Sequence, residues 1–222
     1  MKNKKIRKMK KIILSFIALI FTLSINAQLD RSVMPLGGPS PKIKLDKPKE
    51  FKLKNGIRVL VVENHKLPRI NYSLRFDRKP IVEGEKTGVI SLLGSMLGNG
   101  TTNIPKDDFN EEVDFLGAGI NVGFGSGFAF TLTKNNERVL DLFSDAVINP
   151  LLTEEEFEKE KDKLIEGLKS QKKDIDAISG RVGDALSYGK NHAYGEFISE
   201  QTIENIKFED ILEYHSKYFI PN

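Results

Sequence analysis

The sequence contains no cysteine. This absence excludes disulfide bonds, cysteine nucleophiles, thiolate metal sites and a lipid attached to cysteine. Histidine is also scarce, since only His65, His192 and His215 occur in 222 residues and no two are four positions apart. Protein zinc sites usually take three or four nitrogen, sulfur or oxygen ligands. We therefore expect no metal and no other cofactor, and we interpret His192 as a loop residue that fixes local structure.

A membrane-spanning apolar run is missing as well. The run from Ile12 to Leu23 is shorter than the about 20 residues that a spanning helix needs. Seven basic residues precede it and small residues follow, which is the layout of a secretory signal peptide. Residues 1–27 are therefore predicted to be a signal peptide cut near Ala27, although Ile25 is bulkier than usual two positions before a cut. The alternative is an uncleaved anchor. We expect export to the periplasm or cell envelope, with no membrane span after cleavage.

An excess of positive charge is absent once this segment is set aside. Removing residues 1–27 takes away seven of the 34 basic residues and none of the 31 acidic ones, so the remaining net charge is −4. The apparent basicity belongs to targeting and gives no reason to propose nucleic acid as a partner. The composition of the full sequence, 39% hydrophobic and 29% charged, is that of an ordinary globular protein.

The chain after the signal segment divides into a leader and one domain. Residues 28–49 hold four prolines and two glycines and predict an extended leader. Residues 50–222 form the predicted domain. It begins with a sheet, because Phe51 and Leu53 alternate with lysines, Asn55-Gly56 indicates a hairpin turn, Ile57–Val62 is the returning strand and residues 70–76 alternate again as a third strand.

Apolar spacing, capping residues and prolines predict the helices. Thr153 and Glu156 have the spacing of a capping box at the start of the longest, most charged helix. The predicted helices are 88–97, 106–116, 136–148, 154–172, 175–188 and 209–219. Between the second and third helices, Gly117–Thr133 predicts one or two strands broken by glycines. A dinucleotide-binding turn is the weaker reading there, because no helix opens directly after the glycines; close backbone approach or bulges explain them better.

The segment Gly88–Thr101, GVISLLGSMLGNGT, carries the most information. Its apolar residues predict a short buried helix that ends at Gly98 and Gly100. Ser91, Gly94 and Ser95 are three or four positions apart and share the remaining face. A serine hydrolase built on either serine would need a nearby base and oxyanion donors, and the sequence supplies no base at a recognisable spacing.

This segment resembles the motif helix of the pitrilysin/insulinase family of zinc metallopeptidases. The family pattern is Gly-x-x-His-x-x-Glu-His-x-x-x-x-Gly-Thr, in which the histidines bind zinc and the glutamate acts as general base. Gly88, Gly100 and Thr101 match this pattern. Ser91 and Ser95 stand at the histidine positions and Gly94 at the glutamate position, so none can do its counterpart's chemistry. The resemblance thus implies a degenerate member with no catalytic residues.

Further segments are similar to the family in the same order along the chain. They are LKNGIRVLVVEN, FLGAGINVG, VINPLLTEEEFEKEK, HAYGE and YFIPN, so the resemblance covers about residues 51–222. It implies an α+β domain with a mostly antiparallel sheet packed by helices, like the N-terminal domain of these peptidases. Relatives run on into another core strand after the segment like YFIPN. The resemblance therefore leaves open that the chain is a piece of a longer two-domain protein.

The resemblance also places a third zinc ligand, a glutamate, on the helix 154–172. Two family glutamates lie seven positions apart there; Glu160 matches the first and Gly167 stands at the ligand position. Glu166 is one residue away, which on a helix turns its side chain by about 100°; an alignment shifted by one would restore this ligand but no histidine. Glu160 is expected to make i,i+4 contacts on a solvated face, with a retained functional role as the alternative.

Three classes of function follow from the resemblance. In the family, a metal-bearing half is closed by a metal-free half that helps to hold an extended peptide. The first class is therefore a metal-free subunit, inactive alone, that pairs with an active homologous peptidase and shares peptide or unfolded polypeptide as ligand. The second is a stand-alone periplasmic peptide-binding or structural module, for instance one that takes a peptide at a sheet edge. A hydrolase using unrecognised residues is the third.

Overall fold

A two-stranded hairpin begins the described fold. The computed structural model describes residue 13, residues 37–40 and residues 47–221, so the predicted signal segment and most of the predicted leader lie outside the described residues. Strand β1 (Lys49–Lys52) pairs antiparallel with β2 (Arg58–Val61). The turn between them closes with a hydrogen bond from Gly56 N to Leu53 O of 3.0 Å, and Gly56 has φ +99°, as the sequence predicts for Asn-Gly.

The main sheet has three antiparallel strands. They are β3 (Arg69–Arg75), β4 (Gly119–Val122) and β5 (Ser126–Leu132), in the order β3-β5-β4. The hairpin β1–β2 forms a separate sheet, so the prediction that it shares one sheet with the third strand is wrong for the described residues. Strand β3 instead pairs with β5, which lies more than 50 positions later in the sequence, and local alternation carries no information about such a distant partner.

Two glycines of the sheet make room for aromatic rings. An added Cβ at Gly119 would lie 2.3 Å from the ring of Phe130, and one at Gly127 would lie 2.9 Å from the ring of Phe143. The predicted reason for these glycines, close approach, is therefore right, but side-chain rings rather than backbone make the approach. The segment forms two strands, without a dinucleotide-binding helix.

Seven α-helices lie among the described residues. They are α1 (Val89–Met96), α2 (Lys106–Phe115), α3 (Asn136–Ile148), α4 (Glu154–Ser170), α5 (Ile175–Tyr188), α6 (Glu200–Glu204) and α7 (Phe208–Tyr218). The predicted α3 and α5 match these bounds, and α6 was not predicted, since five residues show little periodicity. In the described part of the chain, no helix combines the length and apolarity that crossing a membrane requires.

Helix α4 begins at the predicted Glu154 but differs from its prediction in its end and in its cap. Its last α-helical residue is Ser170, and a 3-10 turn, Gln171–Lys173, follows. Thr153 caps the helix by accepting a hydrogen bond from Glu156 N, but the Glu156 side chain pairs with Lys106 and Lys159 instead of returning to Thr153 N. Only half of the predicted capping box therefore forms, because two lysines compete for the carboxylate.

The core lies on one face of the main sheet. Gly127, Ala129 and Thr131 of β5 are buried, while the alternating Phe128, Phe130 and Leu132 are exposed. Helix α3 packs on the buried face, and α1 packs against both α4 and α7. The large side chains with less than 2% exposure include Phe109, Phe157, Leu92, Leu93, Leu142, Ile203, Ile206 and Ile211. The predicted α+β fold with mostly antiparallel sheet is confirmed.

Candidate functional site

Helix α1 presents a small polar face away from the core. Val89, Leu92, Leu93 and Met96 are buried, whereas Ser91 and Ser95 are exposed and Gly94 is half-buried. The Ser95 hydroxyl donates to Leu92 O at 2.9 Å, within its own helix. Among the described residues, neither serine donates to a histidine or a carboxylate, so this face lacks the base that a serine hydrolase requires.

The end of α1 sits against the β4–β5 hairpin. A Cβ at Gly98 would lie 3.2 Å from Val122 N, and one at Gly94 would lie 3.9 Å from Phe124 N. Gly98 has φ +76° and Gly100 φ +102°, so the predicted helix end at these glycines is confirmed. Thr101 is buried, and its hydroxyl accepts a hydrogen bond from Ile104 N at 3.0 Å. Gly98 therefore seats the end of α1 against the hairpin, whereas Gly100 and Thr101, which match the family pattern, shape the turn that follows the helix.

The outer edge of β4 lies beside this polar face. Gly123 N donates to Ser126 O at 2.8 Å, so Gly123 faces β5. Backbone groups of an antiparallel strand alternate between its two sides, and the register therefore turns the N–H and C=O groups of Ile120 and Val122 outward. Among the described residues β4 is the last strand of the sheet, so a further strand could add along this edge.

Helix α4 packs against α1 and carries the other two predicted positions. Glu160 pairs with Lys163 three positions along, and its side chain is 15% exposed. The predicted i,i+4 contact on a solvated face is therefore wrong: the contact is i,i+3 and the carboxylate is largely shielded. Glu166 points to solvent, with 72% exposure, and pairs with Lys169 at 2.8 Å. A Cβ at Gly167 would meet no described atom within 4 Å.

The donor set at these positions does not fit zinc. Ser91, Gly94, Ser95 and Gly167 offer two neutral hydroxyls and no imidazole, thiolate or carboxylate, whereas protein zinc sites use those three donor types. A lack of space does not explain the absence of side-chain ligands at Gly94 and Gly167, since a Cβ at either position would make no close contact among the described residues. Over residues 47–221, no three His, Asp or Glu side chains are grouped so that they could hold a metal ion.

A pair of glutamates fixes the N-terminus of α1, which sequence reasoning missed. The Glu83 carboxylate accepts hydrogen bonds from Gly88 N at 3.1 Å and Ile90 N at 2.8 Å. Glu196 in turn accepts from Glu83 N at 2.7 Å and Gly84 N at 2.9 Å. Glu196 belongs to the HAYGE segment, more than 100 positions later in the chain. This long-range contact leaves no local pattern from which it could be predicted.

Burial raises the pKa of Glu83 above its usual value, with nearby Glu196 adding to the rise and the backbone N–H groups opposing it. The usual pKa of a glutamate, 4.5, applies to the unfolded chain. At pH values between 4.5 and the raised pKa of the folded state, the folded protein holds the Glu83 proton more tightly than the unfolded chain does. We therefore expect the stability of the wild type relative to Glu83→Gln to be highest below pH 4.5 and to fall as pH rises through the folded pKa. Urea unfolding of both proteins across pH 4 to 8 measures the difference.

Glutamine is a matched substitution because its amide oxygen can still accept both backbone hydrogen bonds. Glu85→Gln, close by in sequence but exposed, serves as the control and should show no comparable change. A stability difference between wild type and Glu83→Gln that grows in favour of the wild type with rising pH would contradict the predicted sign.

A second cluster joins α7 to the β4–β5 turn. The Arg78 guanidinium lies 4.0 Å from the centroid of the Phe124 ring and is also close to the rings of Phe76, Tyr218 and Phe219. It donates to Phe124 O, and no carboxylate pairs with it among the described residues. Burial lowers the pKa of Arg78. Its cation–π contacts therefore stabilise the β4–β5 turn, in which Phe124 N lies 3.9 Å from the position of a Cβ on Gly94.

The three histidines lie in separate environments. His65 is 87% exposed and pairs with Glu63. His192 Nδ1 accepts from Tyr194 N at 3.1 Å, and its ring stacks on Tyr188, so it contacts its own loop. The His215 ring stacks on Phe219 and its Nε2 lies 3.3 Å from Val147 O; burial lowers its pKa.

Comparison with known proteins agrees with this architecture. Residues 81–187 match the family described as Insulinase (Peptidase family M16). The Bacillus subtilis protein named "Uncharacterized zinc protease YmxG" is 23% identical over 181 residues, which cover 78% of this chain and 44% of that protein. These matches support membership in the pitrilysin/insulinase family of zinc metallopeptidases, and the sequence lacks the family's His-x-x-Glu-His motif.

Two solved structures share the fold. A peptidase M16 inactive domain from Pseudomonas fluorescens has a TM-score of 0.67 and 22% identity, over 77% of this chain and 43% of that one. A protease from Helicobacter pylori has a TM-score of 0.69 and 22% identity, over 80% of this chain and 45% of that one. The chain thus spans less than half the length of each of these three relatives.

Proposed function

We propose that this chain is an exported, metal-free half of a pitrilysin/insulinase-type assembly that pairs with an active zinc peptidase half and helps to hold extended peptides. The observation that carries the proposal is a packed pair of site helices whose motif positions hold no zinc donor. Helices α1 and α4 pack together, Gly88 and Gly100 have positive φ, and the Thr101 hydroxyl accepts a hydrogen bond from Ile104 N. The positions for zinc and for the general base hold Ser91, Gly94, Ser95 and Gly167.

The edge of β4 supplies the proposed contact to peptide. The outward backbone groups of Ile120 lie on this edge, next to Val122, which packs against the end of α1. An extended peptide can add at Ile120 as a further strand. Such pairing uses main-chain hydrogen bonds and tolerates many sequences. A peptide held there and closed between two halves is ordered and shielded from water, which favours reaction in the metal-bearing half.

The test is co-purification of the wild-type chain with homologous zinc peptidases from its own cell envelope, followed by peptidase assays with and without it. Alone, the chain should bind no stoichiometric zinc and cleave no peptide. Added to its partner, it should raise turnover by about tenfold, because ordering the substrate lowers the barrier. N-terminal sequencing of the recovered chain checks export and cleavage near Ala27.

A matched pair of substrates probes the strand contact. One peptide is unmodified, and the other carries N-methyl groups on alternate residues away from the scissile bond, so that it cannot donate ladder hydrogen bonds. The chain should stimulate cleavage of the first peptide and not of the second. Chelator-sensitive cleavage by the chain alone would end the proposal. Peptide binding without association with any homologue would favour the stand-alone binding module instead.

A further inference from the structure

Helix α5 carries a large apolar stripe that faces away from the rest of the fold. Ile175, Ile178, Val182 and Leu186 follow one another at spacings of three, four and four, so they lie on one side of the helix. Their exposed fractions are 79%, 43%, 52% and 82%, and no residue of α5 is buried. An amphipathic helix normally buries such a face. We call these four residues the helix stripe.

A second apolar surface lies on the main sheet, on the face opposite the helices. Phe128, Phe130 and Leu132 of β5 alternate with buried residues, and each is exposed by 43–44%. The two phenylalanine rings are 6.0 Å apart, centroid to centroid. Contiguous exposed apolar surface of this kind marks interaction sites on soluble proteins. We call these three residues the open sheet face.

The two surfaces are similar in length. The helix stripe runs through twelve residues of α-helix from Ile175 to Leu186, or about 17 Å at 1.5 Å per residue. The open sheet face runs along β5 from Phe128 to Leu132, or about 13 Å at 3.3 Å per residue, and β5 as a whole is about 20 Å long. A helix of this length can therefore lie along β5 with most of the stripe in contact.

The charges beside the two surfaces are opposite. Arg69 and Arg75 of β3 are exposed and pair with exposed positions of β5, so they flank the open sheet face. Asp174 caps the N-terminus of α5, and Asp176 lies in its first turn. Within the helix itself, two aspartates outnumber the single Arg181. A helix that binds anionic membrane carries lysine and arginine on its polar face, and α5 carries an acidic excess. Its charge therefore favours a basic protein surface over a membrane.

We propose that two copies of this chain associate through these surfaces, with the helix stripe of each copy lying on the open sheet face of the other. A second copy supplies both complementary surfaces at once, and the proposed dimer is closed when both contacts form around a two-fold axis. Seven large apolar side chains per copy become covered, and the area is on the order of the 1,200–2,000 Å² of a stable interface. This association is independent of the pairing with an active half.

The experiment is light scattering after gel filtration on the chain as exported by its cells, over about a hundredfold range of concentration. The wild type should be dimeric. Leu186→Glu and Phe128→Lys should each raise the dimer dissociation constant by about a hundredfold or more, since the two-fold places every change in the interface twice. An equimolar mixture of the two variants should recover a heterodimer, with one unaltered contact and one that pairs glutamate with lysine.

Phe115 provides the matched control, because it is 87% exposed and belongs to neither surface. Phe115→Glu should leave the dimer intact. Thermal unfolding checks that each variant is folded, and Leu132→Lys replaces Phe128→Lys if the latter is not.

Several results would overturn the proposal. They are a monomeric wild type, a dimer that survives both Leu186→Glu and Phe128→Lys, and a dimer that Phe115→Glu disrupts. A monomer that uses these surfaces to bind a homologous peptidase, or vesicles of anionic lipid, would assign them to that partner and reject the second copy. The turnover assay above is read independently, so failure of the dimer and failure of the pairing with an active half are distinguishable.

Discussion

Replacing Gly100 with alanine is expected to lower the free energy of unfolding by about 3 kcal/mol. Gly100 has φ +102°, a conformation that a residue with a Cβ adopts only with strain. The added Cβ would also lie 2.9 Å from Lys106 Cα and 3.0 Å from Lys106 N. These are backbone atoms at the start of α2, so they cannot rotate away as a side chain would. Thermal unfolding should show a midpoint lower by about 6 to 12 °C.

Gly167→Ala is the matched control, with the opposite expected sign. Gly167 lies within α4, and its Cβ would meet no described atom within 4 Å. Alanine there removes the entropic cost of a helical glycine, which should stabilise the protein by about 0.5–1 kcal/mol. Equal effects at the two positions would mean that close packing around Gly100 is not what requires glycine there.

The sequence predicts those parts of the fold that depend on neighbouring residues. Helices α3 and α5 have the predicted bounds because apolar spacing and the flanking prolines, glycines and caps lie within a few positions. The polar face of Ser91, Gly94 and Ser95 follows from helical geometry alone, and its exposure agrees. The family resemblance adds the positions that would carry chemistry, because it compares residue with residue along one pattern.

Contacts between distant segments account for what the sequence could not predict. Three contacts join residues that are far apart in the chain. They are the pairing of β3 with β5, the hydrogen bond from Glu83 N to Glu196, and the packing of Gly98 against Val122. The environment of the Glu160 side chain is a further feature that neighbouring residues do not predict. A charged helix usually faces water, but its shielding depends on the elements packed around α4, so local spacing gave the wrong environment.

The position of α4 depends on one buried ring. Phe157 is the buried residue of this helix, with 1% exposure. It packs at 6.0 Å from the Phe208 ring, centroid to centroid, and lies under the ammonium group of Lys161. Helix α4 carries Glu160 and Gly167, and both α4 and α7 pack on α1. This contact therefore joins the two helices that pack against the candidate-site helix α1.

Phe157→Ala should therefore lower the free energy of unfolding by about 3–5 kcal/mol, through the lost burial of the ring and the cavity that it leaves. Phe115→Ala removes the same ring from a site that is 87% exposed and should change stability by less than about 0.5 kcal/mol. Urea unfolding of both variants gives the comparison. If Phe157→Ala lowers the free energy of unfolding by no more than Phe115→Ala, then ion pairs and not the buried ring hold α4 in place. The packing of α4 on α1 would then not depend on the core. If the large difference is found, Phe157→Ala should also weaken association with the active half, since that partner meets a site whose two helices are no longer fixed.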